Sequence, residues 1–128
     1  MNYTISQVAE KFHIESHTLR YYEKEGIISP QKTERGIRYF TPSDVEQIEM
    51  VCCLKSTGMS LKDIKKYFDL CSVGDETLDQ RMEIFTSQRE HILSEIEGLH
   101  KYLAKIEGKI QWYSGYINSQ KNKLKAPL

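Results

Sequence analysis

Apolar side chains recur at three- and four-residue steps through the first 71 residues, broken by short polar turns. Ile5, Val8, Ala9 and Phe12 form one buried face of a helix over Thr4–Phe12. His13-Ile14-Glu15 then leaves room only for a tight turn. On the next helix Leu19 and Tyr22 face inward; Ser16 is placed to cap it and Gly26 to close it in a left-handed conformation. Two short helices meeting at a steep angle make a helix-turn-helix pattern, whose second helix is built to enter the major groove of DNA. His17, Thr18, Arg20, Tyr21 and Lys24 share the outward surface of that helix, a set rich in partners for phosphates and base edges.

Downstream, Ile27–Pro30 reads as extended chain and Arg38-Tyr39-Phe40 as a returning strand, with polar Gln31–Gly36 as the hairpin tip. Beside a helix-turn-helix such a hairpin is a wing that lays cations along the DNA backbone. Thr41-Pro42-Ser43-Asp44 supplies a threonine cap, a proline at the first helical position and an acid at the positive end of the dipole. The helix opened there runs to about Ser56, with Val45, Ile48, Val51 and Cys52 inward. Cys53, about 100° further round, falls on the side of Glu46 and Glu49. Thr57–Ser60 breaks the chain and caps a fourth helix with Leu61, Ile64, Tyr67 and Phe68 inward and Cys71 at its end.

A polar linker over 72–76 precedes one long helix expected over 77–117. Leu78, Met82, Phe85, Ile92, Ile96, Leu99, Leu103, Ile106, Ile110, Tyr113 and Ile117 step by four and three, and only Arg89 breaks the seam. So narrow a stripe is buried only against another helix, which is the pattern of a coiled coil. No second such helix exists in this sequence, so the partner is another copy and an obligate homodimer is expected. Arg89 is costly in the seam unless it reaches a carboxylate, and it can set register or orientation. Tyr102, Trp112, Tyr113 and Tyr116 gather towards the end of the helix. They read as packing at a junction with the partner, with a small-molecule site as the alternative. Residues 118–128 read as a flexible basic tail.

Charge narrows the picture. With 18 Lys and Arg against 18 Asp and Glu the formal net charge is zero, so a DNA-binding surface has to be a local basic edge. Between positions 20 and 38 that edge holds Arg20, Lys24, Lys32, Arg35 and Arg38 against Glu23, Glu25 and Glu34. Three cysteines leave one over in any disulfide scheme, which suits a reducing compartment. His13 and His17 belong to the DNA-reading unit, and His91 and His100 stand nine apart on another helix, so no metal or other cofactor is expected. No apolar run approaches the roughly 20 residues of a bilayer span, and the N-terminus lacks a signal-peptide core. A cytoplasmic location without a membrane partner is therefore expected. No nucleophile–base pair, phosphate loop or metal-ligand cluster stands out, so an enzyme is not expected.

The stretch Thr18-Leu-Arg-Tyr-Tyr-Glu-Lys-Glu-Gly-Ile-Ile28, with Arg38-Tyr39-Phe40 and Cys53-Leu-Lys-Ser-Thr-Gly-Met-Ser60, resembles the MerR family of bacterial transcription regulators. One departure is His13, where this family often has glycine; histidine tolerates positive φ less readily. The resemblance implies a mainly α fold: a winged helix-turn-helix DNA-binding domain over 1–71, with a small β-hairpin wing, then a dimerisation helix paired as an antiparallel coiled coil. It implies DNA contacts from Thr4, Ser6, Ser16, His17, Thr18, Arg20, Tyr21 and Lys24, with Arg38 and Tyr39 of the wing gripping phosphate. The implied partners are an inverted-repeat promoter DNA, a second copy of the chain and RNA polymerase. Such dimers bend and untwist a promoter whose spacer is too long.

Within the family, the branch that answers reactive aldehydes and thiol stress, the NmlR and AdhR type, carries a cysteine before the segment that Leu54–Met59 resembles. That resemblance marks Cys53 as the effector-sensing residue. Metal-sensing relatives carry thiol ligands after the dimer helix, where this sequence has none. Three alternatives stay open: Cys53 as a half-buried structural cysteine with no sensory duty, the same fold sensing a reversible ligand at the aromatic end of the coil, and an architectural DNA-bending protein with no effector.

Overall fold

The computed structural model describes residues 1–125 and divides them into two compact units, the first ending at Gln88 and the second beginning at Arg89. Five α-helices and one hairpin make up the described chain: α1 (Ile5–Phe12), α2 (Ser16–Lys24), β1 (Gln31–Lys32), β2 (Arg38–Tyr39), α3 (Pro42–Ser56), α4 (Leu61–Val73) and α5 (Leu78–Lys125). A single 3-10 turn, Asp75–Thr77, joins α4 to α5.

The start of each early helix is explained by its first residues. Thr4 accepts from the Gln7 amide at 3.1 Å while the Gln7 side chain accepts from the Thr4 amide at 2.8 Å, a reciprocal cap of two orphan donors. Thr41 and Asp44 do the same for α3, with Pro42 at its first position. Ser60 caps α4 through the Asp63 amide. Helix α2 differs from the sequence expectation: Glu15 is the flanking residue, it makes no side-chain cap, and Ser16 is already helical. The tight turn at His13 leaves only Ile14 and Glu15 before the helix, so the boundary falls one residue early.

Three helices end in one way. After α1, α2 and α3 the chain passes through a left-handed residue (His13, Gly26, Gly58), and the next amide reaches back five residues: Ile14 to Ala9, Ile27 to Tyr22, Met59 to Leu54. This pairing satisfies carbonyls that the helix would otherwise leave open, and it turns an apolar residue back inward. Ile27 and Met59 are accordingly buried.

The hairpin pairs Gln31 with Tyr39 and Lys32 with Arg38, antiparallel. Its tip is closed by Thr33, whose amide donates to the Ile37 carbonyl and whose hydroxyl accepts from the Ile37 amide. Tyr3 and Phe40 form a further antiparallel bridge with two bonds of 2.8 Å. The wing is thereby stitched to the N-terminal segment. Phe40, Leu19, Ile27, Ile48, Ile64, Val8 and Val51 are the fully buried centre around which these elements close.

Several expected boundaries shift. Residues 72 and 73 belong to α4, and the rest of the expected linker is Gly74 with the 3-10 turn. There the buried Thr77 hydroxyl donates to the Leu70 carbonyl at 2.7 Å and accepts from Arg81 Nε at 3.0 Å. The first unit extends beyond residue 71 because Ile84 and Phe85 of α5 pack on its core, Phe85 edge-on to Tyr67 at 4.8 Å. Gln88 also donates to the Thr57 carbonyl and hydroxyl at 3.0 and 2.8 Å. Helix α5 continues to Lys125 where a loose tail was expected from Asn118. Polar composition does not break a helix when proline and glycine are missing, as they are from 118–125. Residues 126–128 of the expected tail lie outside the described residues.

In the second unit the seam stands open: Ile96, Leu99, Leu103, Ile106, Ile110, Tyr113 and Ile117 are each between 45% and 66% exposed.

Candidate nucleic-acid interface

Helix α2 is held from beneath by Leu19 and Tyr22, both buried. Burial pushes the Tyr22 phenol above its ordinary value, with the nearby Cys52 adding to the effect. The outer surface of α2 then presents His17, Arg20, Tyr21 and Lys24, all exposed, with Thr18 and Ser16 half-buried at its start. Helix α2 has no side-chain cap; the Thr18 amide donates to the Glu15 carbonyl at 3.0 Å, which leaves the Ser16 and His17 amides available for an acceptor from outside.

The wing is tied to this helix. Arg38 Nε donates to Glu23 Oε1 in a partly buried ion pair that joins β2 to α2. The sequence expectation treated Arg38 as a phosphate grip. Its Nε is engaged within the protein by Glu23, so only the terminal guanidinium nitrogens stand outside that bond. Tyr39 is half-buried next to it. At the head of α1, Thr4 and Ser6 are exposed, but the Thr4 hydroxyl is occupied by its cap. The N-terminal segment that carries them is bonded to the wing through Tyr3 and Phe40. Thr4, Ser6, α2 and the wing therefore lie in one stitched unit, and Cys53 lies apart from them on α3.

Cys53 is exposed, while Cys52 is half-buried against the core and burial raises its thiol above the ordinary 9.0. The Cys53 carbonyl accepts from the Thr57 amide at 3.2 Å, and Thr57 in turn holds Gln88. Cys71 sits at the end of α4 with its sulfur 3.9 Å from Arg81 Nη1. Burial, then a hydrogen bond to Cys71, raises the Tyr67 phenol. Among the described residues no group of three or more His, Cys, Asp or Glu is arranged to hold a metal ion, and no helix is long and apolar enough to cross a membrane.

Sequence reasoning missed Glu23 as the partner of Arg38 and Gln88 as the partner of Thr57. Both are long-range pairs with no local spacing to mark them.

Comparison with known proteins returns one consistent family. The sequence model of MerR helix-turn-helix family regulatory proteins matches residues 3–71. An HTH-type transcriptional regulator of Haemophilus influenzae is 40% identical over 114 residues, covering 88% of this chain and 84% of that one. The HTH-type transcriptional regulator AdhR of Bacillus subtilis is 36% identical over 90 residues, covering 70% of this chain and 64% of that one. Among solved structures, HiNmlR, a MerR family regulator lacking the sensor domain and bound to promoter DNA, superposes with a TM-score of 0.82 at 38% identity. That match covers 97% of this chain and 94% of HiNmlR.

Proposed function

The chain belongs to the MerR family of helix-turn-helix regulatory proteins, and from that membership we propose how this DNA-binding transcriptional regulator works. Two copies pair through the open seam of α5 and present two α2 helices to an inverted-repeat promoter DNA. The observation that carries this is the exposed row His17, Arg20, Tyr21 and Lys24 on a helix to which the wing is tied through Glu23 and Arg38. Arg20 and His17 read base edges in the major groove, and Tyr21, Lys24, Arg38 and Tyr39 hold the flanking backbone, with Thr4, Ser6, Ser16 and Thr18 lining the approach. HiNmlR, similar over nearly its whole length, is described as bound to promoter DNA.

Regulation requires two protein states that bend or untwist the DNA differently, and RNA polymerase reads the difference at the promoter. Cys53 is the candidate sensor because its thiol is exposed to electrophiles and one turn from the Thr57–Gln88 link into α5. An adduct with a reactive aldehyde alters the end of α3 and so the hold on the dimer helix. Transcription from the promoter upstream of this protein's own operon, with wild type and Cys53→Ser, with and without formaldehyde, tests this. Induction of the wild type alone, with equal DNA binding by both proteins, is the expected result. Equal induction of both removes Cys53 from the mechanism.

A further inference from the structure

Leu19 and Tyr22, the buried residues of α2, stand three positions apart and so about 60° apart around the helix. Two anchors set nearly in line fix how deep α2 lies, but they leave it free to roll about that line. Roll decides which of His17, Arg20, Tyr21 and Lys24 meets a base. The amino end of α2 adds no side-chain tie, since Glu15 makes no cap. Among the described residues, two side-chain bonds reach the other end from outside. Arg38 of the wing donates to Glu23, and Gln47 Nε2 of α3 donates to the Ile27 carbonyl at 2.8 Å.

The two bonds have different backing. Arg38 belongs to a strand of two residues, whereas Gln47 belongs to a 15-residue helix whose Val45, Ile48, Val51 and Leu54 are packed in the core. Gln47 therefore ties the end of α2 to the rigid part of the unit. The tie falls just after Gly26, φ 77°, where the Ile27 amide turns back to the Tyr22 carbonyl at 2.9 Å. Ile27 is thus held by α2 through its amide and by α3 through its carbonyl. Lys65 of α4 lies across Gly26, its Cε 3.2 Å from the point where a Cβ would stand, but its Nζ is given to Asp69 at 2.9 Å. It packs on the turn without bonding to it. A cavity of about 320 Å³ has Gly26, Ile27, Asp44 and Gln47 in its lining. Water that enters there takes over the Ile27 carbonyl once Gln47 is gone, so the bond adds little stability. What it supplies is a fixed direction.

We propose that Gln47 is a positioning residue for DNA recognition: its bond to the Ile27 carbonyl sets the roll of α2 and, with it, the sequence specificity of the protein. The proposal rests on the reading above in which α2 meets base edges. Bonds to base edges tolerate little error in direction, because a hydrogen bond weakens steeply as it bends. Phosphate contacts are attractions between charges and depend on roll far less. A loosened α2 therefore loses the distinction between its operator and other DNA before it loses affinity for DNA at large.

The test uses full-length Gln47→Met, which keeps the length and neutrality of the side chain and removes the donor. Fluorescence anisotropy, at one salt concentration, gives its affinity for the DNA upstream of the protein's own operon and for a scrambled duplex. The ratio of the two affinities should fall about tenfold, while affinity for the scrambled duplex stays within about twofold of wild type. Hydrogen exchange should show the Ile27 amide less protected and the Ile48 and Val51 amides unchanged, which separates a loosened helix end from a loosened fold. Gln47→Glu, of the same shape and without the donor, repeats the measurement with a polar side chain. Arg20→Ala serves as the control for base reading. If Arg20→Ala lowers the ratio while both Gln47 variants keep it, or lose affinity equally on both duplexes, the positioning role is overturned and the reading of α2 stands. A ratio that Arg20→Ala also leaves unchanged overturns the base-reading role of α2 itself.

Discussion

His13 is the one described non-glycine residue with a positive φ, 54°. It holds the left-handed position that glycine occupies after α2 and α3, in the turn that aims α2. An L side chain there costs on the order of 1 kcal/mol, partly offset because glycine pays more backbone entropy on folding. His13→Gly should therefore leave DNA binding unchanged and raise thermal stability by up to about 1 kcal/mol, a few degrees in Tm by calorimetry. Cys52 gives a pH prediction. Its thiol is raised by burial, so the folded state keeps a proton that the unfolded chain begins to release near 9.0. That contribution is fully present below this pH and is lost as pH rises through the folded-state value. Denaturant midpoints should fall above about pH 9, and Cys52→Ala should show a shallower alkaline decline.

At the scale of elements, α2 and the wing act together through Glu23 and Arg38. Arg38→Ala should weaken DNA binding roughly uniformly across sequences and reduce the salt slope by about 1, whereas Arg20→Ala should relax specificity at one base pair by about 1–3 kcal/mol. Fluorescence anisotropy on operator and scrambled duplexes at several salt concentrations separates the two. The junction of α4 and α5 carries its own prediction. Arg81, with a side chain 19% exposed, bonds both Thr77 and the Gly74 carbonyl, so Arg81→Ala should cost about 1–3 kcal/mol in denaturant unfolding.

Much of this level is legible in the sequence because caps, helix-ending glycines and apolar spacing are local signals. Thr41 with Pro42, Gly26, and the inward Val45, Ile48 and Val51 all stand as their spacing predicts. What is not legible depends on residues far apart in the chain: Glu23 with Arg38, Tyr3 with Phe40, Gln88 with Thr57. The end of α5 is not legible for another reason: a polar segment without an apolar stripe carries no local helix signal, yet it keeps its helix to Lys125.

At the scale of the whole molecule, the proposed function needs two chains that present two copies of α2 to one stretch of DNA. Seven apolar residues along the second unit stand half-exposed; on the proposed dimer a charge placed among them, Ile106→Glu, should yield a monomer with an intact first unit. The most direct measurement is footprinting of wild-type and Arg20→Ala protein on the DNA upstream of the protein's own operon, with the protein-to-DNA ratio determined on the same complex. Two symmetric protected half-sites on one side of the duplex, two chains per site, and loss of the pattern in Arg20→Ala are the expected result. Protection of a single half-site by one chain, or an unchanged footprint from Arg20→Ala, would contradict the proposed function.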